Sequence, residues 1–168
     1  MPATDSAKAT RQVGKMTIRV KSDREAEISR VFDAPRRLVW EAISKPEHLR
    51  HWWGPRRNEM VSCELDFRPG GSWRYVVRGP DGNDYAFRGQ IREVVPPERV
   101  VQTFEFEGVP GAVSVETMTL TERDGKTTLS VTSSFDSREA LEGMLQSGME
   151  TGAAETYDRL EEYLRTLA

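Results

Sequence analysis

The chain has 168 residues, a length that suits one domain whose folding removes about two thirds of the surface of the unfolded chain from water. Hydrophobic residues make up 37% of it and the formal net charge is −3, with both signs scattered, so composition argues against a disordered chain and against nucleic-acid binding. The single cysteine, Cys63, excludes an internal disulfide and a cysteine-rich metal cluster, and it favours a reducing compartment.

The N-terminal segment, MPATDSAKATRQVGK, contains no apolar run of the kind found in signal peptides. No run of roughly 18 apolar residues, the length that spans a bilayer, occurs anywhere in the sequence. We therefore expect a cytoplasmic protein that does not bind membranes, with a flexible tail over residues 1–15 and a single domain over residues 16–168.

The next segment predicts strands followed by two short helices. Residues 16–34 alternate apolar and polar side chains on either side of a charged break, which indicates one interrupted strand or two. Pro35 suits the first turn of a helix that ends near Ser44, and Pro46 opens a second helix that Gly54-Pro55 closes.

From residue 59 to residue 135 the apolar period changes from about 3.6 to 2, and five turn-forming segments separate six predicted strands. Alternation assigns one apolar face to most of these strands. Its members are Val61, Cys63, Leu65, Phe67, Trp73, Tyr75, Val77, Tyr85, Phe87, Gly89, Ile91, Val100, Phe104, Phe106, Leu129, Val131 and Phe135. The segment VSVETMTLTE, residues 113–122, mixes both parities, and its facing stays open.

The C-terminal segment predicts an amphipathic helix of about 30 residues, with an early break as an open alternative. Apolar residues recur there every three or four positions, at Leu141, Leu145, Met149, Ala153, Tyr157, Leu160, Leu164 and Leu167. Such a helix must cover a sheet, and the segregation of strands from helices predicts an α+β, helix-grip fold. That fold is a curved antiparallel sheet wrapped around a long C-terminal helix, with two short helices after the first strand.

Three blocks of the sequence resemble a known family in the expected order, from about Ile28 to Leu164. They are FDAPRRLVWEAISKPEHLRHWWGP, CELDFRPGGSWRYVVRGPDGNDYAFRGQIREVVPPERVVQTF and GMETGAAETYDRLEEYL. They are similar to bacterial START-like (SRPBCC) proteins of the branch related to the C-terminal domain of the activator of heat-shock protein 90 ATPase. The resemblance implies a cavity between the long helix and the sheet that holds a small hydrophobic or aromatic molecule.

We expect this binding to be non-catalytic and to need no cofactor. The candidate ligand-binding residues are Trp52, Trp53, Trp73, Tyr75, Phe87, Phe104, Met144, Gly148 and Met149. The adjacent tryptophans admit two interpretations, packing that closes one end of the cavity or direct ligand contact. Gly148 and Gly152 likewise indicate either a close approach of the helix to the sheet or space left for a ligand.

Two other functions remain open. A cyclase or hydrolase would use a cavity carboxylate, and Asp66, Glu105 and Glu116 are candidates unless they lie on a solvated face or pair with Arg74 or Arg88. A co-chaperone-like interaction module, or a homodimer formed through edge strands, is the other alternative. His48 and His51 lack a third ligand of matching spacing, so we expect no metal site.

Overall fold

A computed structural model describes residues 10–168. In this part of the chain nine strands form one antiparallel sheet in the order β1-β2-β3-β9-β8-β7-β6-β5-β4, accompanied by four helices. The strands are β1 (Thr10–Val13), β2 (Met16–Val20), β3 (Glu25–Phe32), β4 (Glu59–Leu65), β5 (Ser72–Arg78), β6 (Asp84–Val95), β7 (Arg99–Phe106), β8 (Val113–Arg123) and β9 (Lys126–Ser134). The helices are α1 (Arg36–Ser44), α2 (Pro46–Trp52), α3 (Arg138–Gln146) and α4 (Met149–Leu167).

The predicted α+β helix-grip fold is confirmed, including the six strands from β4 to β9 and the two short helices that begin at prolines. The charged break separates two strands, β2 and β3, as one of the alternatives predicted. The two short helices follow the third strand instead of the first.

The N-terminal boundary differs from the expected one. Thr10–Val13 pairs with Met16–Val20 as a hairpin, so strand structure begins inside the segment expected to be a tail. The sequence TRQV has only one apolar residue and therefore no alternation to reveal a strand. Residues 1–9 of the predicted tail lie outside the described residues.

The core lies between the sheet and the helices that cover one of its faces. It joins residues of α1 and α2 to the inward side chains of the strands and to Leu160 and Leu164 of α4. The segment that sequence periodicity left open, β8, turns Ser114, Met118 and Leu120 inward, and Glu116 shares their parity. Val113 and Val115 therefore lie on the outer face.

The C-terminal helical segment is broken early, after Gln146. The backbone of Gly148 has φ 81°, in the left-handed region that ordinary side chains avoid, and this residue joins α3 to α4. α4 then makes its close backbone contacts with α1, α2, α3 and β1, rather than with the centre of the sheet.

Candidate functional site

The tandem tryptophans point in different directions because the helix ends between them. Trp52 is the last residue of α2, is 4% exposed, and its indole N–H donates to the carbonyl of Ala42 at 3.0 Å. Trp53 has extended backbone angles, φ −71° and ψ 128°, and its half-buried ring turns towards the sheet. Trp52 is therefore a core residue, whereas Trp53 forms part of a second aromatic group.

That second group brings together five of the predicted site residues. The Trp53 ring packs edge-on against Tyr75 at 5.0 Å and against Phe87 at 5.2 Å between ring centroids. Trp73 lies 4.7 Å from Tyr75 and 5.8 Å from Phe104, and Phe87 lies 5.7 Å from Phe104. We call Trp53, Trp73, Tyr75, Phe87 and Phe104 the aromatic cluster.

The side chain of Glu116 lies on the same face of the sheet as this cluster. It accepts a hydrogen bond of 3.1 Å from the side-chain amide of Gln102, its cross-strand neighbour on β7. Burial raises the pKa of Glu116 above its ordinary value, and the hydrogen bond from Gln102 offsets part of that rise.

Two tyrosines are close enough to Glu116 to feel its charge. Burial raises the pKa of Tyr157, on α4, and of Tyr75, on β5, and the charge of Glu116 adds to the rise at both hydroxyls. Neither hydroxyl makes a hydrogen bond to another side chain or backbone group within residues 10–168. Gln102, Glu116, Tyr75 and Tyr157 thus form a polar group beside the aromatic cluster, and we call the two together the inner site.

The polar side chains of the inner site are not completely closed off, since Glu116 and Tyr157 are half-buried, although burial raises the pKa of both. In the described part of the chain, the fully enclosed side-chain polar atoms without a hydrogen bond are Nε and Nη1 of Arg30. The Tyr75 and Tyr157 hydroxyls and the second carboxyl oxygen of Glu116 have no hydrogen-bond partner in this part of the chain and are not among these fully enclosed atoms. Tyr75 as a whole is only 7% exposed.

Two depressions on the surface lie elsewhere. One of about 330 Å³ is bordered by Lys15, Asp33 and Glu161, and one of about 790 Å³ lies around Arg74, Val76 and Tyr85. Neither includes Glu116 or Trp53. The inner site therefore lies apart from both surface depressions.

The predicted residues of the C-terminal helices do not join the aromatic cluster. Gly148 and Met149 are exposed, and a Cβ placed on Gly148 would meet no atom within 4 Å. Neither interpretation of Gly148 as an interior helix glycine holds, because it is the junction between two helices. At Gly152 a Cβ would lie 3.3 Å from Pro55, so the close approach there is to the loop after α2 and not to the sheet. Met144, on α3, is half-buried.

The strand acids separate into two groups. Glu105 pairs with Arg88 at 3.1 Å and accepts from the backbone N–H of Gly111, which lowers its pKa, and Asp66 pairs with Arg68. These two carboxylates therefore match the interpretation of paired surface acids. Glu116 does not, and its parity with Met118 and Leu120 was the signal in the sequence that could have placed it inside.

The two histidines both contact the ring of Tyr163 on α4. His48 Nδ1 lies 2.5 Å from the hydroxyl oxygen of Tyr163, and the His51 ring stacks on Tyr163 at 4.9 Å. Between Thr10 and Ala168, no three His, Cys, Asp or Glu side chains gather in a way that would hold a metal ion.

α2 is fastened to α4 by an arginine. The guanidinium of Arg159 donates to the carbonyl oxygens of Gly54 at 2.7 Å and His51 at 3.0 Å, at the C-terminal end of α2. Partial burial lowers the pKa of Arg159. This contact satisfies carbonyl groups that the helix end leaves free, and it holds the tryptophan pair in place against α4.

The sheet, the covering helix and the inner site define a START-like protein of the helix-grip class. The chain belongs to the family described as Activator of Hsp90 ATPase homolog 1-like protein, which it matches over residues 33–165. A search of curated proteins returned no match.

Solved structures from several bacteria are similar over nearly the whole chain. A crystal structure of a Rhodobacter sphaeroides protein is 26% identical with a TM-score of 0.86, and the match covers 90% of this chain and 99% of that one. The protein Ms6760 from Mycobacterium smegmatis is 27% identical with a TM-score of 0.78, covering 92% and 96%. An AHSA1 protein from Silicibacter pomeroyi, 23% identical with a TM-score of 0.70, covers 86% and 99% and shows the same fold.

None of the helices described above has both the length and the apolar composition that crossing a bilayer requires.

Proposed function

We propose that this protein binds a small apolar or aromatic molecule in the inner site without acting on it chemically. The observation that carries the proposal is the packing of five aromatic rings on the inward face of the sheet, beside the half-buried polar side chains of Glu116 and Tyr157. Aromatic side chains supply large apolar contact area and orient flat ligands through their rings. The single free thiol, Cys63, is buried and suits a reducing compartment, so we propose that the protein acts in the cytoplasm.

The proposed contacts are those of the aromatic cluster. The fluorescence of Trp53 should respond directly to a ligand at these contacts, because its ring packs against Tyr75 and Phe87 at the end of α2. Trp52 serves instead as an anchor for α2 through its bond to Ala42, and Gly148 and Met149 shape the junction of the last two helices. Tryptophan emission should therefore change when the site fills, through Trp53.

The experiment is a titration with the neutral fluorescent probe N-phenyl-1-naphthylamine, followed by its displacement with a panel of apolar and aromatic compounds. Ser133→Phe should abolish probe binding, because Ser133 lies directly opposite Glu116 in the sheet and a phenyl ring there occupies the open space. Thr132→Phe is the matched control, since its side chain points to the opposite face of the same strand.

Probe binding that is lost in Ser133→Phe and kept in Thr132→Phe supports the proposal. If the wild-type protein neither enhances probe emission nor gains thermal stability with any compound, the proposal is wrong. Circular dichroism of both variants checks that each is folded before the comparison is made.

A carboxylate-dependent cyclase or hydrolase is the second candidate, and the inward position of Glu116 is the observation that favours it. Burial raises its pKa, as a general base or acid near neutral pH requires. This function needs Glu116 and a second polar group, such as Tyr157, to converge on one substrate atom. Turnover of a panel of aryl esters that survives Glu116→Gln would contradict it, and Glu105→Gln is the control on the outer face.

Interaction with a heat-shock protein 90 chaperone stays a prediction that rests on the description of the family. The two edge strands, β1 and β4, are the elements through which a protein partner or a second copy would extend the sheet. A pull-down with the purified chaperone, and measurement of its ATPase rate, separates this role from ligand binding.

A further inference from the structure

The carboxyl group of Glu116 lacks a cationic partner. One of its oxygens accepts the bond from Gln102, and within residues 10–168 no lysine, arginine or histidine forms an ion pair with it. The second oxygen has no hydrogen-bond partner in this part of the chain and is not among its fully enclosed unpaired atoms. A carboxyl group placed in this way has an unused hydrogen-bond acceptor that faces whatever enters the site.

Other acids of the central strands are matched with arginines. Glu107 pairs with Arg74 at 2.7 Å, and Asp84 pairs with Arg78 at 2.8 Å. The buried arginine of the interior, Arg30, is already engaged by Asp158 and Glu161 of α4. Several outer-face acids near the inner site and the two acids of α4 thus have cationic partners, whereas Glu116 has none in this part of the chain.

The groups around this open oxygen also suit a cation. Tyr75, Phe87 and Phe104 form a wall of aromatic rings next to it, and ring faces attract positive charge. The hydroxyls of Tyr75 and Tyr157 can each accept a hydrogen bond from an ammonium group. An ammonium group carries up to three donors, which matches the free carboxyl oxygen and these two hydroxyls.

We propose that the inner site selects an organic cation, namely a protonated amine carried on an apolar or aromatic body, with the amine at Glu116 and the body against the aromatic cluster. This inference rests on the proposed binding function and names the class of ligand. A neutral alcohol of the same shape would form a weaker bond to the carboxyl group, and a carboxylate would be repelled by it.

The state of Glu116 in the empty site agrees with this assignment. Burial disfavours the ionised form of Glu116 and raises its pKa. An ammonium ion at hydrogen-bond distance stabilises the ionised form, and the pair is then buried together. Charge-assisted hydrogen bonds of this type are about twice as strong as neutral ones.

The test compares three compounds with one carbon skeleton, 4-phenylbutylamine, 4-phenylbutan-1-ol and 4-phenylbutyrate, by displacement of N-phenyl-1-naphthylamine and by calorimetry. We expect the amine to bind about tenfold more tightly than the alcohol, equivalent to about 1.4 kcal/mol, and the carboxylate to bind most weakly. Glu116→Gln should remove the preference for the amine, and Glu116→Asp should keep part of it.

Glu64→Gln is the matched control, because Glu64 is an exposed glutamate on the outer side of β4 and its loss should leave the amine preference unchanged. Circular dichroism and probe affinity confirm that Glu116→Gln still folds with an intact site. Equal affinity for amine and alcohol, or a preference that survives Glu116→Gln, would overturn the cation assignment while probe binding upholds the proposed function. Failure of the wild-type protein to bind the probe and to gain thermal stability with any compound would overturn both.

Discussion

Glu116 occupies a position where the needs of folding and of the proposed ligand recognition oppose each other. Its neighbours on the inward face of β8 are Ser114, Met118 and Leu120, so the carboxyl group lies among small and apolar side chains. A buried carboxyl group destabilises a fold when it ionises, unless a partner compensates. Glu116 has a single neutral partner, Gln102, and this arrangement has a measurable cost at high pH.

Glu116→Gln should make the protein more stable relative to wild type at about pH 8 than at about pH 4. The folded pKa of Glu116 is raised, so between the ordinary value of 4.5 and the folded pKa the folded state holds more protons than the unfolded chain. The contribution of Glu116 to the stability of the fold is therefore fully present below its unfolded pKa, and it is lost as pH rises through its folded pKa. Glutamine removes this loss, so the stability of Glu116→Gln relative to wild type should grow as pH rises through the folded pKa.

Urea unfolding of the two proteins across this pH range measures the difference. Glu64→Gln reports the effect of removing an exposed glutamate. A wild-type stability that rises with pH relative to Glu116→Gln would contradict the burial argument.

Gly89 makes room for an aromatic side chain. It is the cross-strand neighbour of Trp73. The indole N–H of Trp73 passes over Gly89 and donates to the carbonyl of Thr103, on the next strand, at 3.2 Å. A Cβ on residue 89 would lie 1.9 Å from that carbonyl oxygen and 2.4 Å from the indole nitrogen.

Gly89→Ala should therefore destabilise the protein by about 3 kcal/mol, because both the backbone of β7 at Thr103 and the Trp73 ring have to move. The exposed neighbour Gln90→Ala should change stability by less than about 0.5 kcal/mol. Chemical unfolding of both variants tests this, and an alanine at position 89 that is tolerated as well as one at position 90 would refute the close-approach argument.

At the scale of elements, the junction between α3 and α4 depends on one backbone conformation. α3 begins with a cap in which the Ser137 hydroxyl accepts from the N–H of Ala140, and it contributes Leu141 to the buried residues. α4 begins at Met149 directly after the left-handed Gly148. The two helices thus have separate directions, and the turn between them requires glycine geometry.

Two glycine-to-alanine substitutions in this region should have opposite effects on stability. Gly143→Ala lies inside α3 with nothing within 4 Å of the added carbon, so it should stabilise the protein by about 0.5 to 1 kcal/mol. Gly148→Ala is equally uncrowded but requires the left-handed conformation, and it should cost about 1 to 2 kcal/mol.

Melting curves of the two variants decide the matter. If Gly148→Ala proved as stabilising as Gly143→Ala, the break in the helix would not exist in solution. A larger side chain at position 148 is expected to act in the same direction as alanine, because the strain comes from the backbone.

At the scale of the whole molecule, Arg30 connects the sheet to α4. Its side chain is 2% exposed, lies 3.0 Å from both Asp158 and Glu161, and stacks 5.0 Å above the Phe32 ring. Its Nε and Nη1 have no hydrogen bond of good geometry. A buried cation of this kind is stable only while its acidic partners remain.

Asp158→Asn combined with Glu161→Gln should cost about 3 to 5 kcal/mol, because it leaves the guanidinium buried without a counter-charge. Adding Arg30→Met to that double variant should restore most of the loss. Calorimetric unfolding of the double and triple variants measures the recovery, and a triple variant no more stable than the double one would show that packing, not charge, connects α4 to the sheet.

The sequence was most informative where structure depends on neighbours in the chain. Prolines at positions 35 and 46 predicted where α1 and α2 begin, and turn-forming residues predicted all six strands from β4 to β9. Alternation placed four of the five members of the aromatic cluster, Trp73, Tyr75, Phe87 and Phe104, on the inward faces of their strands, whereas Trp53 follows a helix and could not be placed in this way.

What the sequence did not predict depends on contacts between distant residues. The inward face of β8 was hidden because Val113 and Val115 are apolar on the outer face, which conceals the parity that Glu116 shares with Met118. The role of Gly148 required its backbone angle, which no periodicity reveals. The different surroundings of Trp52 and Trp53 depend on the residue at which α2 ends.

The pairing of β3 with β9 also governs the order in which the molecule is built. Residues of these strands that face each other, such as Glu25 and Ser134, are far apart in the chain, whereas β4 to β9 join in sequence through short turns. β1, β2 and β3 pair with one another locally, but they join the rest of the sheet only through β9, the last strand to be made. Because local pairings form before distant ones, the pairing of β3 with β9 should follow the pairings among β4 to β9. In pulsed hydrogen exchange during refolding, the amides of β3 that bond to β9 should therefore gain protection after those of β5 to β8. The N-terminal third of the protein is thus made first and joined to the rest of the sheet last.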